Sequence, residues 1–216
     1  MVQYKLLYRF YCLRHYALGI NTSGYYPKSI IRQVADLYNL SYNTLRGDLK
    51  KFERKGFIAI HGDNIRLLKN NNSYWRLFTD HLDEYLNESK PENKFAARVL
   101  KNQLHGYLYS QALKESENIE NKSIRRKYLS CVRKGINVGE KQGIHAGLRA
   151  IGRHFDRSFV TAYRYVLLMK KVGLKVHKHY HDWGPRSEFF KNDMMYGRIF
   201  VSNDRVIERS LNSYSF

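Results

Sequence analysis

Apolar residues recur at helical spacing along most of the chain and alternate as in a strand only briefly. Leu6, Phe10, Leu13 and Ala17 share one face of a helix over residues 3–18. NTSGYYP reads as a loop closed by Pro27. In KSIIRQVADLYNL, Ile31, Val34, Ala35 and Tyr38 lie on one face, so a second helix follows. Asn39 suits a tight left-handed turn after it.

The segment LSYNTLRGDLKKFERKGFIAIHGDNIRLL, residues 40–68, carries the densest set of local signals. Ser41 is placed as an N-cap. Leu40 and Leu45 are spaced for a hydrophobic staple across it. Leu45, Leu49 and Phe52 form an inward stripe, while Tyr42, Asn43, Arg46, Lys50 and Arg54 lie away from it. Gly56 stops the helix. FIAI and IRLL are short strand patterns, and HGDN between them is a hairpin turn.

Helical spacing returns in the middle of the chain. Trp75, Phe78, Leu82 and Tyr85 mark one helix, and Pro91 opens another bearing Phe95, Val99, Leu104, Tyr107 and Leu108. SIRRKYLSCVRKG predicts a third, with Ile124, Tyr128, Cys131 and Val132 inward. Glycines at 135, 139, 143 and 147 read as a loop.

The first pattern then appears again. Shifted by 117 residues without a gap, residues 31–57 lie over residues 148–174. Ile31 falls on Leu148, Val34 on Ile151, Ala35 on Gly152 and Tyr38 on Phe155. Ser41 meets Ser158, Thr44 meets Thr161, Leu49 meets Val166, Phe52 meets Met169, Gly56 meets Gly173 and Phe57 meets Leu174.

Both segments resemble the winged helix-turn-helix superfamily in this order of small apolar residue, aromatic, turn, Ser-x-x-Thr, two apolar positions and Gly before an apolar strand. The first copy covers about residues 3–69 and the second about 122–182. The second departs from the pattern where Arg157 replaces Leu40, where Ala162 replaces Leu45, and where no hairpin turn follows Gly173. A second wing therefore lacks its turn signal. The two-module plan is similar in arrangement to double winged-helix replication initiators of plasmids and phages. It equally suits a transcription regulator.

The resemblance implies a mainly helical chain with small hairpins. Its expected parts are a winged helix-turn-helix over 1–70, a helical connector over 71–121, a second helix-turn-helix over 122–182 and a C-terminal extension over 183–216. In the extension, GRIFVSNDRVIER can supply a strand pair.

Charge points the same way. The chain has 38 Lys and Arg against 19 Asp and Glu, a net charge of +19. Residues 1–79 and 122–178 are strongly basic, and residues 80–121 are mildly acidic. Such an excess favours a polyanionic partner. No apolar run reaches the roughly 20 residues a membrane span needs, and the basic N-terminal segment is unlike a signal peptide. Two distant cysteines, Cys12 and Cys131, suggest buried apolar residues in a reducing, cytoplasmic setting, nucleoid-associated if cellular.

Double-stranded DNA is the expected partner, with no cofactor, no metal and no membrane. On the first copy the expected contacts are Ser41, Tyr42, Asn43, Thr44, Arg46 and Lys50, with His61, Asn64 and Arg66 on the wing. Arg46 suits a guanine and Asn43 an adenine. On the second, Ser158, Thr161, Tyr163, Arg164 and Lys170 hold matching places, and Arg125, Arg126 and Lys127 suit phosphates. Gly47 inside the first helix would permit a close backbone approach. Asp36, Asp48 and Glu53 read as surface or cap residues. Tyr25, Tyr26 and Tyr42 are the aromatics expected outside the core. Homodimerisation, and a protein partner at 71–121 or 183–216, are left open.

Three other readings compete. HKHYHDW places His177, His179 and His181 at alternating positions. HYH is similar to the His-hydrophobic-His motif of rolling-circle initiators and relaxases, implying metal-dependent nicking with Tyr196 or Tyr214 as nucleophile. The histidines serve equally as a wing touching phosphate or solvent. A second competitor is a non-enzymatic structural or nucleic-acid-packaging protein, and a third is an RNA-binding protein that prefers single-stranded or A-form targets.

Overall fold

The computed structural model describes residues 2–69, 73–134, 144–178, 180–185, 199–203, 205–209 and 212–216. The chain is mainly helical with small antiparallel sheets, and it divides into two compact units, Met1–Val99 and Leu100–Phe216.

In the first unit, α1 (Val2–Ile20) is followed by β1 (Tyr25–Pro27), α2 (Ile30–Leu37), α3 (Tyr42–Arg54), β2 (Ile58–His61) and β3 (Asn64–Leu67). The stripe expected on α1 is buried, but so are Leu7, Tyr8, Tyr11 and Cys12 between its members. A helix that is apolar on nearly every side must be packed on nearly every side, and α1 forms the centre of this core. Ile31, Val34, Ala35 and Tyr38 of the α2 segment close over it, as do Leu45, Leu49 and Phe52 of α3.

Tyr25–Pro27 is a strand and not a loop. It pairs with β3, giving a three-stranded sheet in the order β1-β3-β2. Tyr26 is consequently buried, contrary to the expectation that it would lie outside the core, because it sits opposite the buried Ile65. The hairpin turns at Gly62-Asp63, with Gly62 at φ +55, a conformation that costs glycine little.

Residues 74–86 form two helices where the spacing suggested one, α4 (Tyr74–Thr79) and α5 (Leu82–Leu86). The Thr79 hydroxyl donates to the carbonyls of Trp75 and Arg76, and His81 at φ −127 leaves the helical region. Side-chain bonding of this kind competes with the helical ladder. Phe78, Tyr85, Phe95 and Val99 all enter the first unit's core. Tyr8 meets Phe78, Tyr85 and Phe95 at ring separations of 5.5, 5.5 and 5.6 Å. Residues 73–99, part of the connector expected over 71–121, thus supply much of this unit's aromatic packing.

The helix α6 (Pro91–Ser116) crosses the division. In the second unit it is followed by α7 (Lys122–Lys134), β4 (Ile144–His145), α8 (Leu148–His154), α9 (Phe159–Lys170) and β5 (Lys175–His177). Then come β6 (Tyr180–Pro185), β7 (Ile199–Ser202), β8 (Arg205–Arg209) and β9 (Ser213–Ser215). Of the four residues expected inward on α7, Val132 is buried and Tyr128 and Cys131 are half-buried, but Ile124 is 59% exposed. It stands two residues from the start of α7. Of the expected glycine loop, residues 135–143 lie outside the described residues, and Gly147 is the N-cap of α8.

The 117-residue repeat is visible in the backbone. Asn39 and Asp156 both have φ 50, and Gly56 and Gly173 both have positive φ. The Leu40 N–H donates to the Ala35 carbonyl at 2.9 Å, and the Arg157 N–H donates to the Gly152 carbonyl at 2.8 Å. The Phe57 N–H donates to Phe52 and the Leu174 N–H to Met169 in the same way. The sheets match too. The second unit has the order β4-β9-β5, again with the last strand central, and β2 and β5 start 117 residues apart. The central strand β9 comes from the end of the chain. Where the first unit has a two-residue turn, the second carries the sheet β6-β8-β7. The strand pair expected in GRIFVSNDRVIER is β7 with β8.

Candidate nucleic-acid interface

One side of α3 is fixed by burial, and that frees the other. Leu45, Asp48, Leu49 and Phe52 are buried, whereas Tyr42, Asn43, Arg46, Gly47 and Lys50 are exposed. Ser41 has extended backbone, and its hydroxyl accepts the Thr44 N–H at 3.4 Å, so the cap expected from sequence is formed. Tyr42 is held beneath Arg32, whose guanidinium carbon lies 5.5 Å from the ring centroid. Arg32 was not singled out in the sequence. It is simply an exposed position of α2, brought to Tyr42 by the turn at Asn39.

Asp48 corrects the sequence reading. It is fully buried, not a surface or cap residue. Arg9 Nε donates to its Oδ2 at 2.5 Å, Lys51 Nζ to its Oδ1 at 2.6 Å, and Arg9 Nη1 to Glu92 Oε1 at 2.7 Å. Burial pulls the Arg9 pKa down, but its hydrogen bonds to Glu92 and Asp48 outweigh it and raise the pKa. The guanidinium stays charged and clamps α1 to α3. Glu53 makes a second tether, its Oε1 accepting the Ile60 N–H at 3.1 Å and joining α3 to β2.

The sheet adds one cation, Arg66. Arg66 lies 5.2 Å from the Tyr25 ring centroid, and the Tyr25 and His61 rings are 6.4 Å apart. His61 and Asn64 pair across the hairpin tip, both exposed. A cleft of ≈ 370 Å³ opens beside the start of α3, lined by Lys5, Ser41, Thr44, Lys90 and the Arg9-bonded Glu92, among others. The first unit carries Tyr42, Asn43, Thr44, Arg46 and Lys50 on α3 behind the Ser41 cap, His61 on β2, and Asn64 and Arg66 on β3. Lys5 and Lys90 gave no signal of joining them, because only the packing of α1 and α6 brings them near.

In the second unit, Ser158 repeats the cap. Its hydroxyl accepts the Thr161 N–H at 3.3 Å and lies 3.1 Å from the Thr161 hydroxyl. Tyr163, Arg164 and Lys170 are exposed, and Thr161 is half-buried. On α7, Arg126 and Lys127 are exposed, whereas Arg125 is half-buried with its Nε donating to Ser116 Oγ at 3.3 Å. Cys12 is fully buried, and burial pushes its thiol well above the usual range.

The His cluster is only partly described. His177 Nε2 lies 2.9 Å from Ser215 Oγ. His179 and Tyr196 lie outside the described residues, as does the side chain of His181. Tyr214 is fully buried in β9. No helix among the described residues is long and apolar enough to cross a membrane. Comparison of the chain with protein-family models, with curated proteins and with solved structures gives no match.

Proposed function

We propose that the chain is a sequence-specific double-stranded DNA-binding protein built from two winged-helix-like modules, of the replication-initiator or transcription-regulator type. The observation that carries the reading is α3. Its underside is sealed into the core, while Asn43, Arg46 and Lys50 are exposed behind a capped N-terminus, and Glu53 tethers α3 to the sheet that bears Arg66. A helix fits the major groove, which is roughly 12 Å wide, and its first turns reach base edges. The chain order helix, strand, helix, helix, strand, strand, with the last strand central, supports a winged-helix assignment. Its recurrence in the second unit supports two contact modules. Arg66 and His61 would grip the backbone next to the groove, and the Lys5–Lys90 cleft would seat a phosphate near the helix start.

Selection of bound fragments from a random duplex pool, at low and at high salt, tests this. The expected result is a recovered consensus whose binding weakens steeply with salt. Equal binding to every duplex, or none, would overturn it.

A further inference from the structure

The two capped helices share a frame but not a surface. Under the 117-residue offset, Tyr42 corresponds to Phe159, Asn43 to Val160, Arg46 to Tyr163 and Lys50 to Leu167. The hydrogen-bonding positions of α3 are thus apolar or aromatic on α9, and all four are open. Phe159 is 57% exposed, Tyr163 50%, Val160 44% and Leu167 43%. The underside explains none of this, since Ala162, Tyr165, Val166 and Met169 fill the core positions. The rim of the stripe is cationic, with Arg157, Arg164, Lys170 and Lys171 exposed. Asp156 is the only acid between residues 148 and 171.

We infer that α9 reads thymine methyl groups, so that the second half of the target is rich in A·T pairs. The inference rests on the DNA-binding reading above. Most of what the major groove displays is hydrogen-bond donors and acceptors, and an apolar side chain facing them leaves them unpaired. The thymine C5-methyl is the apolar group there. The cationic rim complements the flanking phosphates, which favours a nucleic acid over an uncharged partner. The chain would then combine two modes of readout: hydrogen bonds through α3 and methyl contacts through α9.

Deoxyuridine in place of thymidine removes the methyl and keeps base pairing, which makes the test direct. The probe is a duplex recovered by selection, with deoxyuridine introduced in one half of the site at a time. Affinity should fall about fourfold per contacted methyl, the equivalent of ~0.8 kcal/mol, in one half only. The double variant Val160→Asn, Leu167→Lys installs the α3 residues on exposed positions of α9, and it should bind thymidine and deoxyuridine duplexes alike. Specific binding that ignores deoxyuridine would overturn the inference and leave DNA recognition standing. So would unchanged methyl sensitivity in the double variant. Failure to bind any duplex would overturn both. Unaltered DNA binding by the double variant would assign the stripe to a protein partner instead.

Discussion

Arg9 Nε and Asp48 Oδ2 lie 2.5 Å apart, with the Asp48 side chain fully buried, and this pair ties the central helix α1 to the hidden face of α3. Removing one member of a buried ion pair strands the other in a poor solvent for charge. Asp48→Ala is therefore expected to destabilise the first unit by about 3–5 kcal/mol. Urea unfolding followed by a probe in that unit would read the loss. A change below about 1 kcal/mol would mean that Glu92 alone satisfies Arg9. The triple change Arg9→Met, Asp48→Leu, Glu92→Gln should recover much of the loss, because it removes the three joined charges together.

The same pair shows what sequence can and cannot disclose. Arg9 follows Leu6 by three residues and precedes Leu13 by four. Asp48 stands in the same relation to Leu45 and Phe52. Both charges thus occupy inward positions of their helices, and that signal was present in the spacing, though overruled by the usual preference of charges for water. The turn at Asn39, the cap at Ser41 and most of the inward stripes were legible because each depends on residues within one or two helical turns, and the 117-residue offset carried Ser41 onto Ser158. The strand β9 was not. Its pairing with β4 and β5 spans a long insertion, its residues are Ser, Tyr and Ser, and only long-range register places Tyr214 in the interior. Ile124 looked inward on spacing alone, which does not report how much of a helix face is covered. On the candidate interface, the polar face of α3 was legible, whereas the Arg32–Tyr42 and Arg66–Tyr25 stacks needed the fold.

Two glycines separate backbone packing from function. A Cβ on Gly152 would lie 2.7 Å from the Arg157 carbonyl oxygen, at the turn that sets α8 against α9. Gly152→Ala should cost about 1–3 kcal/mol, as overpacking does. A Cβ on Gly47 meets nothing within 4 Å. Gly47→Ala should therefore stabilise the first unit by roughly 0.5–1 kcal/mol through helix propensity. If α3 lies in a groove, the same change should weaken DNA binding by crowding the backbone approach. A variant that is both more stable and undiminished in binding would place Gly47 off the contact surface.

His15 gives the first unit a sensitivity to mild acid. Burial lowers its pKa from the ordinary 6.5, and its Nδ1 lies 2.6 Å from the Tyr38 hydroxyl. The unfolded chain then binds a proton that the folded chain resists. The contribution to stability is full above about pH 6.5. It is lost as pH falls through the lowered folded value. Thermal unfolding from neutral to mildly acidic pH should show Tm falling in this window, with a shallower fall in His15→Gln. An equal slope in both proteins would place the acid response elsewhere.

Arg46 and Arg126 test whether reading and gripping are separate tasks. Arg46 projects from the exposed face of α3, where a guanidinium can meet guanine N7 and O6 together. Arg126 projects from α7, a helix outside the 31–57/148–174 repeat, and its expected contact is a phosphate. Arg46→Ala should cost about 1–3 kcal/mol on the preferred duplex and little on others, relaxing the consensus at one or two positions. Arg126→Ala should weaken all duplexes by a similar factor and reduce the salt slope by about one counterion. Titrations of both variants against the selected duplex and a scrambled one, over a salt series, distinguish the outcomes. Identical behaviour would mean that α3 contributes only charge. In that case the packaging reading, in which the cationic surface binds any duplex, would replace sequence recognition.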